Sequence, residues 1–249
     1  MINKKIDTIK IEETSSTNEL AKSFLKKNDK VLPFVVQTNF QTKGKGQYNK
    51  SWESNANENL LMSLVLNAPP IDIEKQFDIS KAVAVAILKV LSNYTDKKVF
   101  IKWPNDIYVG NNKIAGILIE NTIIGQRLDS CIIGIGLNVN QIVFSKTLPN
   151  PTSLKILTHR EHNINLIKDK LIENIFKYLK KTDTIDNLYQ QYLYRKGELN
   201  QFIDTKDKTF LGVILGVDNW GKLRIRVENN QVKLFTNNEV KMILPQQIN

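Results

Sequence analysis

The sequence predicts an α+β fold in two parts, with sheet and helices over residues 1–199 and a small β-barrel over residues 200–249. Three observations carry this expectation. Up to about residue 194, apolar runs of strand composition are interleaved with stretches whose apolar residues recur at helical spacing. Midway, Lys102-Trp103-Pro104-Asn105-Asp106 ends a strand in a turn, and Ile114–Ile119 returns as a second strand. From about Phe202 the pattern shifts to short strands separated by Asp, Asn and Gly turns.

Taken in order, residues 6–13 read as a first strand. Ser16 or Thr17 is the expected N-cap of a helix to about Lys27, with Leu20, Ala21, Phe24 and Leu25 on one face. Phe34–Thr38 is a strand that opens into a loop, and Leu60–Leu66 is another, closed by Ala68-Pro69-Pro70. A second helix is expected from Ser80 to Tyr94, burying Ala82, Val83, Ala86, Ile87, Val90 and Leu91. The hairpin over residues 99–120 turns at Asn111-Asn112. Cys131–Val139 reads as a strand, Asn165–Lys181 as an amphipathic helix ending in lysines, and Asp186–Tyr194 as a further helix. In the tail, Phe210–Val217, Leu223–Val227 and Val232–Phe235 are strands, with turns at Asp218–Gly221 and Glu228–Asn230.

Composition narrows the classes. A chain of 249 residues that is 41% hydrophobic can bury a sizeable core as an ordinary globular protein. Met1–Lys10 lacks the apolar core of a signal peptide, and no run approaches the roughly 18–20 apolar residues that span a bilayer. The lone cysteine, Cys131, cannot form an intrachain disulfide, so the expected location is the cytoplasm. A net charge of +10 invites a nucleic-acid reading. The lysines are scattered, however, and no helix-turn-helix precedes the first motif, so neither DNA nor a membrane is an expected partner. His159 and His162 with one cysteine do not make a zinc site, and no Gly-x-Ser-x-Gly elbow suggests a hydrolase.

Two segments carry chemistry. Lys102 and Lys113 flank the central turn beside an apolar sheet edge, and with Asp106 they suit a site for a charged small molecule. The loop from Gln41 to Lys50 has two glycines, Gly44 and Gly46, that allow positive φ and close backbone approach to a ligand. Lys43, Lys45 and Lys50 place cationic charge on it. It lacks the Gly-Lys-Ser/Thr of a P-loop, and Asn49 stands where a dinucleotide fingerprint needs its third glycine.

Gln41-Thr42-Lys43-Gly44-Lys45-Gly46-Gln47 ahead of Trp52, then Lys102–Asp106, then Lys113-Ile114-Ala115-Gly116-Ile117-Leu118-Ile119-Glu120, resemble the biotin protein ligases. Ser16-Thr17-Asn18, Asn59–Leu64 and Gly134-Ile135-Gly136-Leu137-Asn138 agree in order and spacing, so the resemblance is strong over about residues 12–140. It is to the short class without an N-terminal DNA-binding domain. It implies a mixed central sheet with flanking helices of the class II synthetase type, and an SH3-like C-terminal β-barrel.

The resemblance implies two-step chemistry with ATP, biotin and Mg²⁺. Biotin's carboxylate attacks the α-phosphate to give biotinyl-5'-AMP, and a lysine of a biotin carboxyl carrier protein then takes the acyl group. The first step sets an anion against a polyanion. Two like unit charges about 4 Å apart at an effective dielectric of about 20 repel by roughly 4 kcal/mol. Fixed cations should therefore dominate catalysis. By motif position, Lys113, Lys102, Lys45 and Asp106 would be catalytic, with Lys113 stabilising the transition state at phosphorus and Asp106 orienting the acceptor lysine or binding metal. Ser16, Thr17, Asn18, Gln41, Lys45, Gly46, Gln47, Lys102 and Gly116 would bind biotin. Lys50, Trp52, Asn105 and Asn138 would meet the nucleotide, with a packing role for Trp52 and a capping role for Asn138 as the structural alternatives. The metal ligands and the oligomeric state, a homodimer included, stay open.

One departure matters. Where the family's loop is often Gly-Arg-Gly-Arg-Arg-Gly-Arg, this one has Lys45, Gln47, Tyr48 and Lys50 and no arginine. Lysine keeps charge but loses the bidentate fork, so faster release of the adenylate than from an arginine loop is expected. A lipoate or octanoate ligase of the same superfamily and a biotin-sensing regulator are the alternative readings.

Overall fold

The computed structural model describes residues 6–27, 32–67, 69 and 71–244. Strand β1 (Asp7–Thr14) leads through helix α1 (Thr17–Lys27) to β2 (Phe34–Gln41). β1 and β2 are parallel, and α1 is the crossover that a parallel pair requires. β3 (Asn59–Asn67) follows the glycine loop, and α2 (Phe77–Leu91) follows β3. Four strands come next: β4 (Val99–Lys102), β5 (Asp106–Val109), β6 (Asn112–Ile124) and β7 (Arg127–Asn138). Together they form a seven-stranded mixed sheet in the order β1-β2-β3-β7-β6-β5-β4. Helices α3 (Leu154–Thr158), α4 (Ile164–Leu179) and α5 (Thr182–Gln191) lead to β8 (Leu199–Asp204), β9 (Thr209–Val217), β10 (Leu223–Val227), β11 (Val232–Phe235) and β12 (Val240–Met242). The last five make a second, antiparallel sheet ordered β11-β10-β9-β8-β12, the small C-terminal β unit.

The two faces of the large sheet have different partners. Met62 and Leu64 of β3 and Ile133 and Ile135 of β7 point into the main core with α2. On the other face Phe34, Val36, Val65 and Ile132 pack with Ala21 of α1. α2 is buried on nearly every side, as befits an apolar helix enclosed by the sheet, α4 and α5. Its expected stripe is buried, yet the helix starts at Phe77 and stops at Leu91, three residues earlier at each end than the sequence suggested. No side chain caps its start, because a 3-10 turn over Ile73–Lys75 runs directly into it. The last helix is likewise earlier than expected, Thr182–Gln191, and α3, β5, β8 and β12 were not anticipated; where a two-strand hairpin was expected over residues 99–120, three strands form. The hairpin turns at Gly110-Asn111, with Gly110 at φ +59, one residue before the expected Asn111-Asn112 tip. Of the expected strand closure Ala68-Pro69-Pro70, Ala68 and Pro70 lie outside the described residues.

The β unit is joined to the sheet by specific bonds. Just ahead of that unit the chain bridges β4 around Leu193: the Ile101 N–H donates to the Tyr192 carbonyl and the Tyr194 N–H to the Ile101 carbonyl, both at 2.8 Å. Gln190 of α5 makes a two-way amide pair with Val217 of β9, at 2.6 and 3.1 Å. The Trp103 indole N–H donates to the Gly221 carbonyl at 2.8 Å. No helix among the described residues is long and apolar enough to cross a membrane.

One charge sits inside this packing. The Lys81 side chain is only 2% exposed and its ammonium lies 3.0 Å from Asp78 and 2.8 Å from Asp186, tying α2 to α5. Lys81→Ala strands both carboxylates at a packed helix contact and should cost on the order of 3 kcal/mol in urea unfolding at unchanged m-value. Asp186 is 45% exposed, so Asp186→Asn should cost less, about 1 kcal/mol. Equal and small losses for the two variants would show that the pair contributes nothing.

Candidate active site

Sheet register builds the site. On the face that α1 partly covers, Lys102 of β4 lies opposite Asp106 of β5, Asp106 opposite Gly116 of β6, Gly116 opposite Gly136 of β7, and Gly136 opposite Leu61 of β3. One row thus carries a cation and a carboxylate at one end and two glycines at its middle. Lys113 joins them through a β-bulge. Ile107 pairs with Ala115 but Tyr108 pairs with Lys113, so Ile114 is the extra residue. Without that bulge the period-two alternation would turn Lys113 to the opposite face. With it, the Lys113 ammonium reaches Asp106 at 2.7 Å.

The cations differ in their partners. Lys113 is paired with Asp106, and Lys45 with Glu19 at 2.8 Å. Lys102 has no carboxylate within ion-pair distance among the described residues, and its ammonium stands 5.5 Å from the centre of the Tyr108 ring. Burial pushes its pKa below the ordinary lysine value; Asp106 pulls it back up, and Lys113, Lys50 and Lys241 press it down further. An unpaired, desolvated ammonium beside three further cations is a receptor for an anion.

The other end of the site is neutral and closely hydrogen-bonded. Gln41 Oε1 accepts from the Thr17 N–H at 2.8 Å and from its hydroxyl at 3.1 Å, which holds the start of α1 on β2. The Ser63 hydroxyl lies 2.8 Å from the Thr17 hydroxyl and donates to Asn18 Oδ1 at 2.6 Å. The Asn18 amide N–H₂ donates to Glu120 at 2.7 Å and to the Leu118 carbonyl at 3.3 Å. The amide of Asn18 occupies the space that a side chain at Gly134 would take. Gly134 and Asp106 lie two strands apart, so the two ends are separated by roughly 10 Å at the usual strand spacing.

Between the ends lies a cavity of about 910 Å³, lined by every residue expected to be catalytic or to bind biotin or the nucleotide, but not by Lys43 or Gly44 of the loop. The Trp52 indole lies on its glycine floor. A Cβ at Gly116 would stand 2.9 Å from the ring, one at Gly136 would overlap it, and the Trp52 Nε1 is buried without an acceptor. The Lys113 ammonium is 5.6 Å from the same ring. Trp52 therefore meets the floor rather than merely anchoring a turn. The glycine loop departs from expectation in one respect: neither Gly44 nor Gly46 has a positive φ, and the left-handed residue is Tyr48, at φ +53. Gly44 is needed because a side chain there would overlap the Trp52 carbonyl.

Two expected nucleotide contacts spend their amides on the backbone. Asn105 donates to the Ile117 carbonyl at 2.9 Å, and Asn138 to the Thr152 carbonyl at 2.9 Å, although both line the cavity. The sequence reading passed over Gly134 and Gly136 as floor residues; their period-two spacing on one strand was the signal. It also missed Ser63, Glu120, the β11–β12 turn, whose Asn237 and Asn238 line the cavity, and Lys241 of β12, which lines it too. No local pattern marks these. No group of three His, Cys, Asp or Glu side chains among the described residues could hold a metal, and His162 instead bonds Thr158 at 2.7 Å.

Gly136→Ala should lift the indole off the floor with the fold intact. The check is the Trp52 indole N–H resonance in a nitrogen–proton correlation spectrum, and an unshifted resonance would rule the contact out.

Comparison with known proteins agrees with this arrangement. The model of the biotin/lipoate A/B protein ligase family matches residues 11–138. The bifunctional ligase/repressor BirA of Bacillus subtilis (strain 168) is 30% identical over 236 residues, which are 89% of this chain and 70% of that protein. The biotin–[acetyl-CoA-carboxylase] ligase of Mycobacterium tuberculosis is 25% identical over 168 residues, 66% of this chain and 61% of that one. The biotin protein ligase from Aquifex aeolicus, solved in complex with biotin and ATP, shares the fold with a TM-score of 0.79 at 24% identity, over 96% of this chain and 99% of that one. A site assembled from the very motifs that the sequence singled out, together with a match across half the chain, makes this protein a member of the biotin/lipoate A/B protein ligase family.

Proposed function

We propose that this protein is an ATP-dependent biotin protein ligase, which activates biotin as biotinyl-5'-AMP and transfers it to a lysine of a biotin carboxyl carrier protein. The observation that carries the reading is the two-ended cavity: neutral hydrogen-bonding groups at one end, an unpaired ammonium at the other, and between them a glycine floor on which the Trp52 indole lies. Biotin has the matching form, a compact ureido ring joined by an aliphatic arm to a carboxylate. The relatives named biotin ligases support the choice over lipoate and octanoate, whose acyl chains carry no ureido group to match Thr17, Asn18, Gln41 and Ser63.

In this reading the ring sits against Thr17, Asn18 and Gln41, with Ser16, Gly46 and Gln47 around it, and the carboxylate comes to Lys102. Lys102 and Lys113 neutralise the charge that builds up as a carboxylate oxygen bonds to the α-phosphorus and pyrophosphate leaves. Lys45 and Lys50 add positive potential from the glycine loop, and Lys50, Trp52, Asn105 and Asn138 border the nucleotide. Binding of an anion raises the Lys102 pKa again, so the desolvated ammonium is the group that gains most from substrate. In the second step the acceptor amine attacks the acyl carbon and AMP departs. Asp106, held in place by Lys113, would orient that amine. Mg²⁺ bound with the triphosphate would supply further positive charge at the phosphates, and Asp106 is the carboxylate of the site that would meet it. Residues 1–199 would be the catalytic domain and 200–249 the accessory β domain, with the cytoplasm as the working location.

Pyrophosphate exchange into ATP, run separately with biotin, lipoate and octanoate, tests the reading. Exchange with biotin alone is expected; exchange with lipoate or octanoate in its place would move the protein to the sister branch of the family.

Lys102 also supplies a test in two directions. Its pKa is lower in the folded protein than in the unfolded chain, so its charge costs stability below the lowered value. That cost fades as pH rises through the lowered pKa toward the unfolded value. Lys102→Met should therefore abolish biotin-dependent exchange yet stabilise the ligand-free protein at neutral pH by about 1 kcal/mol. The gain should shrink with rising pH. A variant less stable than the parent at pH 7 would refute the desolvation argument.

A further inference from the structure

We propose that the turn between β11 and β12 clamps the glycine loop, and that Asn237 is a positioning residue which sets how long the loop stays closed over the acyl-adenylate. The inference rests on the adenylate-forming reading of the site. Asn237 Nδ2 donates to Gln47 Oε1 at 2.5 Å, and the Tyr48 hydroxyl donates to the Asn237 carbonyl at 3.5 Å. Both loop residues occupy positions where an arginine loop would carry charge.

The turn is built before it meets the loop. The Glu239 N–H donates to the Thr236 carbonyl at 3.2 Å, and the Glu239 carboxylate accepts the Thr236 N–H at 2.6 Å. The β unit that carries the turn is held elsewhere by Trp103 and Gln190, through bonds that do not involve the loop. The turn is thus a fixed post and the loop is the movable partner. Tyr48, left-handed at φ +53, persists in that conformation only where its surroundings compensate, and the turn is what its hydroxyl touches. Gln47 cannot hold a phosphate by charge, but it can bond an amide. Retention of the adenylate is therefore shifted from a loop–ligand ion pair to a hydrogen bond between the loop and the β11–β12 turn.

The test measures release of labelled biotinyl-adenylate, formed from biotin and ATP on the whole protein and chased with unlabelled biotin. Asn237→Ala should speed release about threefold to tenfold, the worth of one such hydrogen bond. In the double variant Gln47→Ala/Asn237→Ala, release should be no faster than in Gln47→Ala alone. Asn237→Asp should keep slow release, because the Gln47 amide can rotate and donate to the new carboxylate. Unchanged release in Asn237→Ala, or additive effects in the double variant, would overturn the clamp and make Gln47 a direct ligand contact. A parent protein without biotin-dependent exchange would sink the functional reading instead, and this shows before any variant is made.

Discussion

Everything in the site depends on an absence of side chains. Gly116 and Gly136 face each other across β6 and β7, and Gly134 lies one step along the same face. On an ordinary sheet the three positions would carry side chains that stand away from it and fill this volume. Left bare, they let Trp52 lie on the backbone, let Asn18 approach above Gly134, and open a cavity between the polar and cationic ends. The opposite face of β7 carries Ile133 and Ile135 into the main core, so the strand is buried on one side and bare on the other. The floor of the site is thus laid on an interior strand of the sheet, and the glycine loop borders it.

Charge arrangement follows from that floor. Lys113 and Lys45 have carboxylate partners in the ligand-free protein, whereas Lys102 has burial and a tyrosine ring. A cation held this way is destabilising without an anion, which is the familiar tension between a site and the stability of its fold. The neutral end is organised in the opposite sense. Asn18, Ser63, Thr17 and Gln41 satisfy one another and Glu120 before any ligand arrives, so their geometry is already fixed. One end is preformed and the other is held in tension.

Much of this was legible along the chain. The strand and helix patterns placed the main elements, and the Lys102–Asp106 and Lys113–Glu120 segments marked the hairpin that bears the catalytic candidates. Misplaced boundaries have local causes. α2 lacks a cap signal because a 3-10 turn feeds it, and β12 is a three-residue strand that pairs only with β8, across 36 or more residues of chain. The two glycines of the loop suggested a left-handed backbone, but Tyr48 takes that conformation while Gly44 is required by the Trp52 carbonyl.

By itself the sequence determined which residue types were available, which runs would be strands or helices, and, through its motifs, the family's chemistry. These are consequences of periodicity and short-range turn geometry, which act between neighbours. Only the tertiary structure decided which face Lys113 presents, because one extra residue at Ile114 inverts the alternation that the sequence implies. It alone brought Asn18 of α1 over Gly134 and Trp52 over Gly136, and set Asn237 against Gln47 across 190 residues of chain. Those outcomes depend on strand register and domain docking. Both are decided by packing between segments distant in the chain, and no local pattern encodes them.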